Sequence, residues 1–377
     1  MNILFISNLY PAYEGHSVQE ISYTLHDIVK HWVKIHNVVV VRPYFVPQKK
    51  RIHYERSFLL DDVSVYNLPV LKDWWMDAVC GEDKWDVILI KNENDVIIAS
   101  MPYYIRNKFG VKIITQPPLT QTNGVYIKYP EGQKLCSRIS YEKDIIYEID
   151  EKLKELKIDY YNQNFHYTFT NWQPFYWKGY SQTTRYTYIL KDLSNLDKVY
   201  GNFNKSKRKY IKQNEKIYKV YKTEDIKTFY ALNTKVFKRQ NLKIPYSLNL
   251  IEKLDKILLE KKSRVIFAID DKNGDTICML YLVFDNKSSY LLMSGTDPDT
   301  RDFNVKTLLV WEAIKFSSQK KLIFDFEGSM VENIATFFKE FGAEPTPYFN
   351  ISKTFSMKGK VSNLVKPIYH GFKKLGK

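Results

Sequence analysis

The sequence predicts an α+β protein in which mixed sheets are flanked by helices, with a shorter parallel βαβ segment in front. Two observations predict this fold class. The first 70 residues hold apolar strand patterns around one amphipathic helical pattern, which indicates a parallel start. The remainder runs through helices, then successive strands, then strand and helix again, which is typical of an α+β layout. With 377 residues the chain exceeds one ordinary core, so two or three domains are expected.

The N-terminal unit reads as strand, helix, strand, strand. Residues 1–7, 38–41 and 63–68 are apolar, and residues 17–34 repeat apolar side chains at helical spacing. Buried strands joined by a helix predict a partial Rossmann-like βαβ segment. Its first loop contains only Gly15, so it lacks the glycine pattern of a dinucleotide site.

From residue 73 the pattern changes to helices and antiparallel strands. A helix is followed by a hairpin with its turn at residues 92–95, and a strand then leads into a Pro-Pro loop. The later predicted helices cover residues 140–156, 196–219, 226–239, 248–261 and 305–317, and the later predicted strands cover residues 264–269, 276–284 and 289–294. The last such pair is a strand from residue 322 and a helix that ends at Gly342.

Composition narrows the class of protein. Hydrophobic content of 44% excludes a disordered chain, and no apolar run approaches the roughly 20 residues of a membrane-spanning helix. The N-terminus lacks the features of a signal peptide. The three cysteines are scattered, so neither a disulfide framework nor a metal site is expected, which fits a reducing cytoplasm.

The charge is strongly positive and uneven. The net charge is +15, and residues 205–222 contain eight Lys or Arg against one acid. Residues 353–377 add seven lysines and no acid, and apolar residues at helical spacing suggest a basic helix there. Such surfaces suit nucleic acid, anionic lipid or a phosphate-bearing substrate, so a peripheral contact with the inner membrane face is one expectation.

The strand and turn at residues 322–329 carry the main candidate for chemistry. Asp325 and Glu327 share a parity and point to one face, while Phe324 and Phe326 point to the other. Because buried acids are costly, we expect this pair in a cleft, where either acid would orient or deprotonate an acceptor amine. A structural role as a helix cap or ion-pair partner is the alternative.

The binding candidates fall into three groups. Arg208 and Lys212 lie four apart on one predicted helix face, where they would clamp a phosphate unless the helix is simply a solvated basic one. An aromatic cluster would stack on a sugar or nucleotide, or belong to the core. The helix opening after residue 302 would bind an anion, and the serine before the last helix would cap it. The aromatic cluster consists of Trp172, Tyr176 and Trp177. The helix opening contains Lys306 and Thr307, and the capping serine is Ser329.

Two resemblances add to these patterns. The first 70 residues resemble the N-terminal start of GT-B glycosyltransferases, in MNILFISNLYP, the following helix and VSVYNLPVL. In that family this piece contributes to the acceptor side. No second Rossmann unit for a sugar nucleotide is visible later in the chain, so a glycosyltransferase is kept as an alternative function.

Residues 72–353 resemble the GNAT-fold acyltransferases related to the FemAB peptidoglycan aminoacyltransferases. Six segments carry the resemblance in order: WWMDAVCGEDKWDV, ITQPPLTQTNG, TNWQPFYWKGYSQTTRYTYILKDL, NFNKSKRKYIKQNEK, LLVWEAI and FDFEGSMVENIATFFKEFGAE. The resemblance implies two tandem GNAT-like subdomains, at residues 72–182 and 183–353, between the βαβ segment (1–71) and a basic tail (354–377). It also implies that the basic helix lies at the substrate cleft.

The combined prediction is a cytoplasmic acyl- or aminoacyltransferase that modifies an amino group of a peptidoglycan or polysaccharide precursor. The donor would be acyl-CoA, an acyl carrier or aminoacyl-tRNA, and no tightly bound cofactor is expected. Acyl-CoA and a carrier-bound donor are equally open, because the tRNA-associated helical arm of the Fem enzymes is not evident. The acceptor would be a phosphate-bearing saccharide or nucleotide sugar, and nucleic acid enters only if tRNA is the donor. A non-catalytic GNAT-fold protein that binds membranes or RNA is the remaining alternative.

Overall fold

The computed structural model describes residues 2–6, 29, 32, 34, 37–41, 57–60, 63–66, 73–108, 110–300 and 304–359. Most of the helix predicted at residues 17–34, and the basic tail beyond residue 359, lie outside these ranges.

Four short strands form a separate N-terminal sheet. They are β1 (Asn2–Ile6), β2 (Asn37–Val41), β3 (Ser57–Leu60) and β4 (Val63–Tyr66), in the order β1-β2-β4-β3. The β1–β2 and β2–β4 pairs are parallel, and β3 adds an antiparallel strand that the sequence patterns did not indicate. The Rossmann-like interpretation of this segment stays a prediction.

Twelve further strands make one continuous mixed sheet within the described residues. Its order is β11-β12-β13-β14-β15-β10-β16-β9-β7-β6-β5, and β8 pairs with β6 beside that path. The strands are β5 (Trp85–Lys91), β6 (Ile97–Lys108), β7 (Val111–Thr115), β8 (Tyr126–Ile127), β9 (Tyr160–Asn164), β10 (Ser181–Leu190), β11 (Val220–Thr223), β12 (Arg264–Asp270), β13 (Thr276–Phe284), β14 (Ser288–Thr296), β15 (Ile323–Asp325) and β16 (Glu344–Thr354).

The helices flank this sheet, as the α+β prediction requires. They are α1 (Asp73–Cys80), α2 (Leu135–Glu155), α3 (Gln173–Trp177), α4 (Leu196–Gly201), α5 (Lys205–Asn214), α6 (Ile226–Arg239), α7 (Leu248–Glu260), α8 (Val305–Gln319) and α9 (Glu332–Lys339). None of the helices in the described part of the chain is long and apolar enough to cross a membrane.

The sheet consists of two halves with the same layout. Each half begins with antiparallel strands. A long helix then joins two strands that pair in parallel: α2 joins β7 to β9 in the first half, and α8 joins β14 to β15 in the second. The strands that follow are exchanged. β10 comes directly after the first half in sequence but pairs with β15, and the last strand, β16, pairs with β9. β10 and β16 also pair with each other over nine residues and join the halves.

Three apolar clusters fill the faces of the sheet. One packs α8 and α9 against β12–β15, a second packs α1, α6 and α7 against the opposite face, and a third packs α2 and α3 against the first half. A chain of this size is expected to have more than one hydrophobic core, and the three separate clusters agree with that expectation.

Several local predictions are confirmed and one is wrong. The hairpin turn at Asn92 joins β5 to β6, and α6 has the predicted bounds. The single helix predicted over residues 196–219 is two helices, because Phe203 turns inward and becomes buried between them. Asn204 then caps the second helix by accepting a hydrogen bond from Ser206 N–H at 2.9 Å.

Candidate functional site

The candidate site lies at the carboxyl ends of the parallel pair β14 and β15. Their pairing covers only Ser288–Tyr290 and Ile323–Asp325, although β14 continues to Thr296. The two strands therefore part beyond Tyr290 and leave a cleft between their ends. Ligands commonly bind outside the carboxyl ends of parallel strands.

Asp325 is the last residue of β15 and is buried on the cleft face, whereas Phe324 and Phe326 enter the core behind it. Its Oδ1 accepts hydrogen bonds from Thr187 Oγ1 at 2.5 Å and from Glu327 N–H at 2.8 Å. Burial disfavours the ionised form and raises the pKa of Asp325 to about 6, although these hydrogen bonds act in the opposite direction.

Glu327 follows in the left-handed backbone region, with φ of 58°. Burial of its carboxyl raises the pKa of Glu327 well above its usual value, and the negative charge of Asp325 adds to the shift. The Gln121 side chain, from the loop after β7, donates to the Glu327 carbonyl oxygen. The first half of the chain therefore holds the turn that carries the acid.

The residue after Glu327 must be glycine. Gly328 has φ of 53°, and an added Cβ would lie 2.2 Å from the Tyr186 carbonyl oxygen and 2.6 Å from Thr187 Cα. Both neighbours are backbone atoms of β10, so neither can move aside cheaply. This close approach fixes the position of the two acids against β10.

Aromatic hydroxyls surround the acids, and the sequence patterns did not point to them. Tyr290 is the register partner of Asp325 on β14. Burial is the main cause that raises the pKa of Tyr167 and Tyr348, and Asp325 contributes to both shifts. These hydroxyls therefore stay protonated at neutral pH and are available as hydrogen-bond donors.

The amino terminus of α8 lies at the same end of the sheet as the acids, because α8 follows β14. Two lysine ammonium groups meet there over one ring: Lys207 Nζ lies 4.0 Å and Lys306 Nζ 4.5 Å from the Phe337 centroid. Lys207 also pairs with Glu340 at 3.0 Å. Burial lowers the pKa of both lysines.

Two features suit this helix start to an anion. The Thr307 hydroxyl is fully buried and has no hydrogen-bond partner among the described residues. The cap residue, Asn304, makes no side-chain bond to the first turn, where N–H groups commonly lack an intrahelical acceptor, although Thr307 N–H donates to the Asn304 carbonyl oxygen at 2.9 Å. With Lys306 alongside, the helix start offers several donors and positive charge.

The structure assigns different positions to the predicted phosphate clamp. Arg208 Nη1 donates to the Gly201 carbonyl oxygen at 3.3 Å, at the end of α4, and Lys212 is exposed. The face of α5 that packs toward α8 instead carries Lys207, Ile211 and Asn214. Lys207 lies at helical spacing with the buried Ile211 and Asn214. It was missed because, in a sequence with so many neighbouring lysines, it could not be distinguished from the solvent-exposed ones.

The aromatic candidates lie apart from the acids. Tyr176 and Trp177 are 62% and 50% exposed on α3, which precedes the Ser181 end of β10, six residues from Thr187. A strand of six residues spans roughly 20 Å. Trp172 packs on the core of the first half, 5.6 Å from Tyr176 between ring centroids.

Ser329 lies in the turn, where its Oγ accepts a hydrogen bond from Val331 N–H at 3.0 Å, just before α9. A groove of about 1640 Å³ also opens beside α6, at the Thr296 end of β14, and is crossed by the Lys235–Asp297 ion pair at 2.6 Å. In the described part of the chain, no group of three or more His, Cys, Asp or Glu side chains is placed to hold a metal ion.

The mixed sheet with flanking helices and one diverging parallel pair is a GNAT-like fold. Residues 198–333 match the family model described as an acetyltransferase (GNAT) domain. This segment contains α5, β14, α8 and both acids, and the match supports an N-acyltransferase. No curated protein matches the sequence.

Solved structures are similar to the chain at low sequence identity. FemX matches with a TM-score of 0.57 and 13% identity over 75% of this chain and 92% of that chain. The C-terminal domain of a putative lysylphosphatidylglycerol synthetase from Agrobacterium fabrum matches with a TM-score of 0.48 and 9% identity over 75% and 89%. A tandem GNAT protein from the clavulanic acid biosynthesis pathway gives 0.44 and 6% over 72% and 82%. The likeness to FemX shows the fold.

Proposed function

We propose that the protein transfers an acyl group from a phosphate-bearing donor, of the acyl-CoA type, to an amino group of a peptidoglycan or polysaccharide precursor. The observation that carries the proposal is the position of Glu327 beside Asp325 at the end of β15, where burial raises the pKa of its carboxyl. An acyl carrier would present the same thioester, whereas an aminoacyl-tRNA would present an oxygen ester whose carbon–oxygen bond breaks; both carry phosphate.

The reaction needs one proton removed from the acceptor. The amine nitrogen attacks the donor carbonyl, the carbon–sulfur bond breaks as the carbon–nitrogen bond forms, and Glu327 takes the proton that leaves nitrogen. Protonated Glu327 then returns that proton to the thiolate, which leaves as the thiol and restores the carboxylate. Asp325 acts as the positioning residue, because its Oδ1 accepts from the Glu327 N–H and from Thr187.

The donor phosphates would lie against the start of α8. Lys306, the Thr307 hydroxyl and N–H groups at the helix start would supply charge and hydrogen bonds there. This placement leaves the thioester end of the donor in the cleft between β14 and β15, within reach of the acids.

Charge and exposed aromatic rings support a phosphate-bearing saccharide as the acceptor. The net charge of +15 favours a substrate that carries phosphate, and the exposed Tyr176 and Trp177 rings are open to stacking on a saccharide. Lys212 and Arg208 extend the positive surface of α5. The six lysines of residues 354–377, with no acid, support peripheral contact with an anionic membrane from the cytoplasmic side.

The direct test combines donor binding with product detection. Purified protein is screened against acyl-CoAs, aminoacyl-tRNA and amine-bearing envelope precursors, by thermal shift for binding and mass spectrometry for the amide. We expect acyl-CoA to raise the melting temperature, and Lys306→Gln to remove most of that shift, while Lys256→Gln on the exposed face of α7 retains it. Binding of anionic vesicles or RNA with no donor-induced shift would instead support a non-catalytic binding protein.

A further inference from the structure

The edge of β10 is open next to the acid-bearing turn. Phe326 N–H donates to the Tyr188 carbonyl oxygen at 2.9 Å, so Tyr188 directs its peptide groups away from β16 and toward β15. Peptide groups alternate sides along a strand, so Tyr186, Thr184 and Gln182 face the same way. β15 has ended there; the Gly328 backbone covers Tyr186, and no described residue pairs with Thr184 or Gln182 on this side.

Gly328 marks where the open edge begins. Its backbone lies against the Tyr186 carbonyl oxygen, and the chain then leaves β10 toward α9. From Thr183 to Tyr186 the side chains of β10 are exposed on both faces. Unpaired strand edges of this kind are normally covered, charged or shortened, because they bind other extended chains.

One face beside this edge is apolar. β15 and β16 are both antiparallel to β10, so the connecting helix α9 runs parallel to β10. Phe338 contacts Tyr188, with ring centroids 5.9 Å apart. Four helical residues and two strand residues both advance by roughly 6 Å, which places Ile334 beside Tyr186. Ile334 is 40% and Tyr186 39% exposed, and Met330 and Val331 nearby are also exposed.

The other face is cationic. Arg185 and Thr187 share a parity on β10, so Arg185 points to the face of the acids. Its side chain is exposed, and it forms no ion pair with any described residue. An acidic side chain on an added strand would therefore find an unpaired cation at this position.

We propose that the edge at Gln182 and Thr184, beyond the point where Gly328 covers Tyr186, is a strand-addition site for an extended polypeptide segment. The segment that fits carries apolar side chains at every second position, against Tyr186 and Ile334, and an acidic side chain between them, against Arg185. Backbone pairing supplies affinity in such complexes, and the alternating side chains supply specificity. The site binds whether or not the protein transfers an acyl group.

The test uses a fluorescent octapeptide of alternating valine and glutamate and measures anisotropy on the full chain. Alternate residues of a strand present their N–H groups to opposite edges. Only one set of N–H groups, that of the valines or that of the glutamates, faces β10. We therefore expect N-methylation of that set to abolish binding and N-methylation of the other set to preserve it. Equal binding by the two methylated peptides would overturn the proposal.

Two protein variants test the residues. Thr184→Pro removes one edge-facing N–H and should weaken binding about fivefold or more, since one hydrogen bond is lost. Arg185→Glu leaves the backbone unchanged and should exchange preference, so that a valine–lysine octapeptide binds in place of the valine–glutamate one. Lys256→Glu is the charge control. If Arg185→Glu binds the acidic peptide like the unmodified protein, the site is not on this edge.

Discussion

The two halves of the large sheet have the same layout but opposite chemistry at corresponding strand ends. β9 and β15 each lie between a parallel partner and an antiparallel one, so residues 162–164 and 325–327 occupy comparable places. In the second half these places hold two carboxyl groups with raised pKa values. In the first half they hold Asn162, Gln163 and Asn164.

The amides of the first half are satisfied by one another. Asn162 Nδ2 donates to Asn350 Oδ1 at 2.9 Å, and Asn350 Nδ2 donates to Asn164 Oδ1 at 2.8 Å. The long helices differ as well, because α2 begins at the 73% exposed Leu135 while α8 begins at the buried Val305. A neutral, saturated strand end stabilises the sheet but has no group to accept a proton. The proposed site therefore lies in the second half of the described sheet.

The largest expected effect separates these two strand ends. Glu327→Gln removes the proton acceptor and should lower the rate of acyl transfer by about 10²–10⁴-fold, which is the usual contribution of a general base. The matched change in the first half, Asn162→Ala, should leave turnover per folded molecule unchanged and cost about 1–2 kcal/mol of unfolding free energy. Thiol release and chemical denaturation measure the two quantities. Full activity in the glutamine variant would remove Glu327 as the base.

The next effect concerns the interaction between the two acids. Asp325→Asn keeps an Oδ1 acceptor for Thr187 and for the Glu327 N–H but removes the negative charge that helps to raise the pKa of Glu327. The acid limb of the rate–pH profile should move to lower pH, although burial still holds the Glu327 pKa above its usual value. An unmoved limb in this variant would show that another group controls it.

The same variant changes stability with a defined sign. The folded state favours protonated Asp325, whose pKa is about 6, so the stability associated with this group is complete below about pH 4 and is lost as pH rises through 6. Asp325→Asn should therefore be more stable than the unmodified protein above pH 6, by about 3 kcal/mol at most, and nearly equal near pH 4. Denaturation at both pH values measures the difference.

The smallest effect compares two buried hydroxyls that lack partners, Thr307 on α8 and Ser100 on β6 in the first half. Thr307→Val and Ser100→Ala should each add up to about 1 kcal/mol to the unfolding free energy without donor, because an unsatisfied polar atom is removed. Only Thr307→Val should weaken donor binding, by about fivefold, for the loss of one hydrogen bond. An equal donor affinity in both variants would place the phosphate elsewhere.

The sequence reveals local features well because they depend on neighbours in the chain. Two-residue parity alone separated Asp325 from Phe324 and Phe326, and helical spacing gave the bounds of α6. Lys207 was missed in favour of Arg208 and Lys212, because which face of a basic helix packs inward depends on α8 and α9. The hydroxyls of Tyr167 and Tyr348 reach the acids from the first half of the sheet and from the last strand, and no local pattern records such contacts.

The exchange of β10 and β16 was outside the reach of sequence patterns for the same reason. A strand pattern indicates that a segment is extended, but not which distant strand it joins. The two tandem subdomains stay a prediction, and β16 lies beside β9 rather than among the strands that precede it in sequence.

That exchange also sets the order in which the chain can fold. Asn164 of β9 is hydrogen-bonded to Asn350 of β16, which lies 186 residues later in the chain. β9 therefore lacks its antiparallel partner until β16 has left the ribosome. Pairings between such distant residues are slow to form, since the chain entropy is lost before the contact is gained. During synthesis, β9 and the amides at its end therefore present an unpaired edge, and nascent chains that stall before residue 344 should be the ones that aggregate or recruit chaperones.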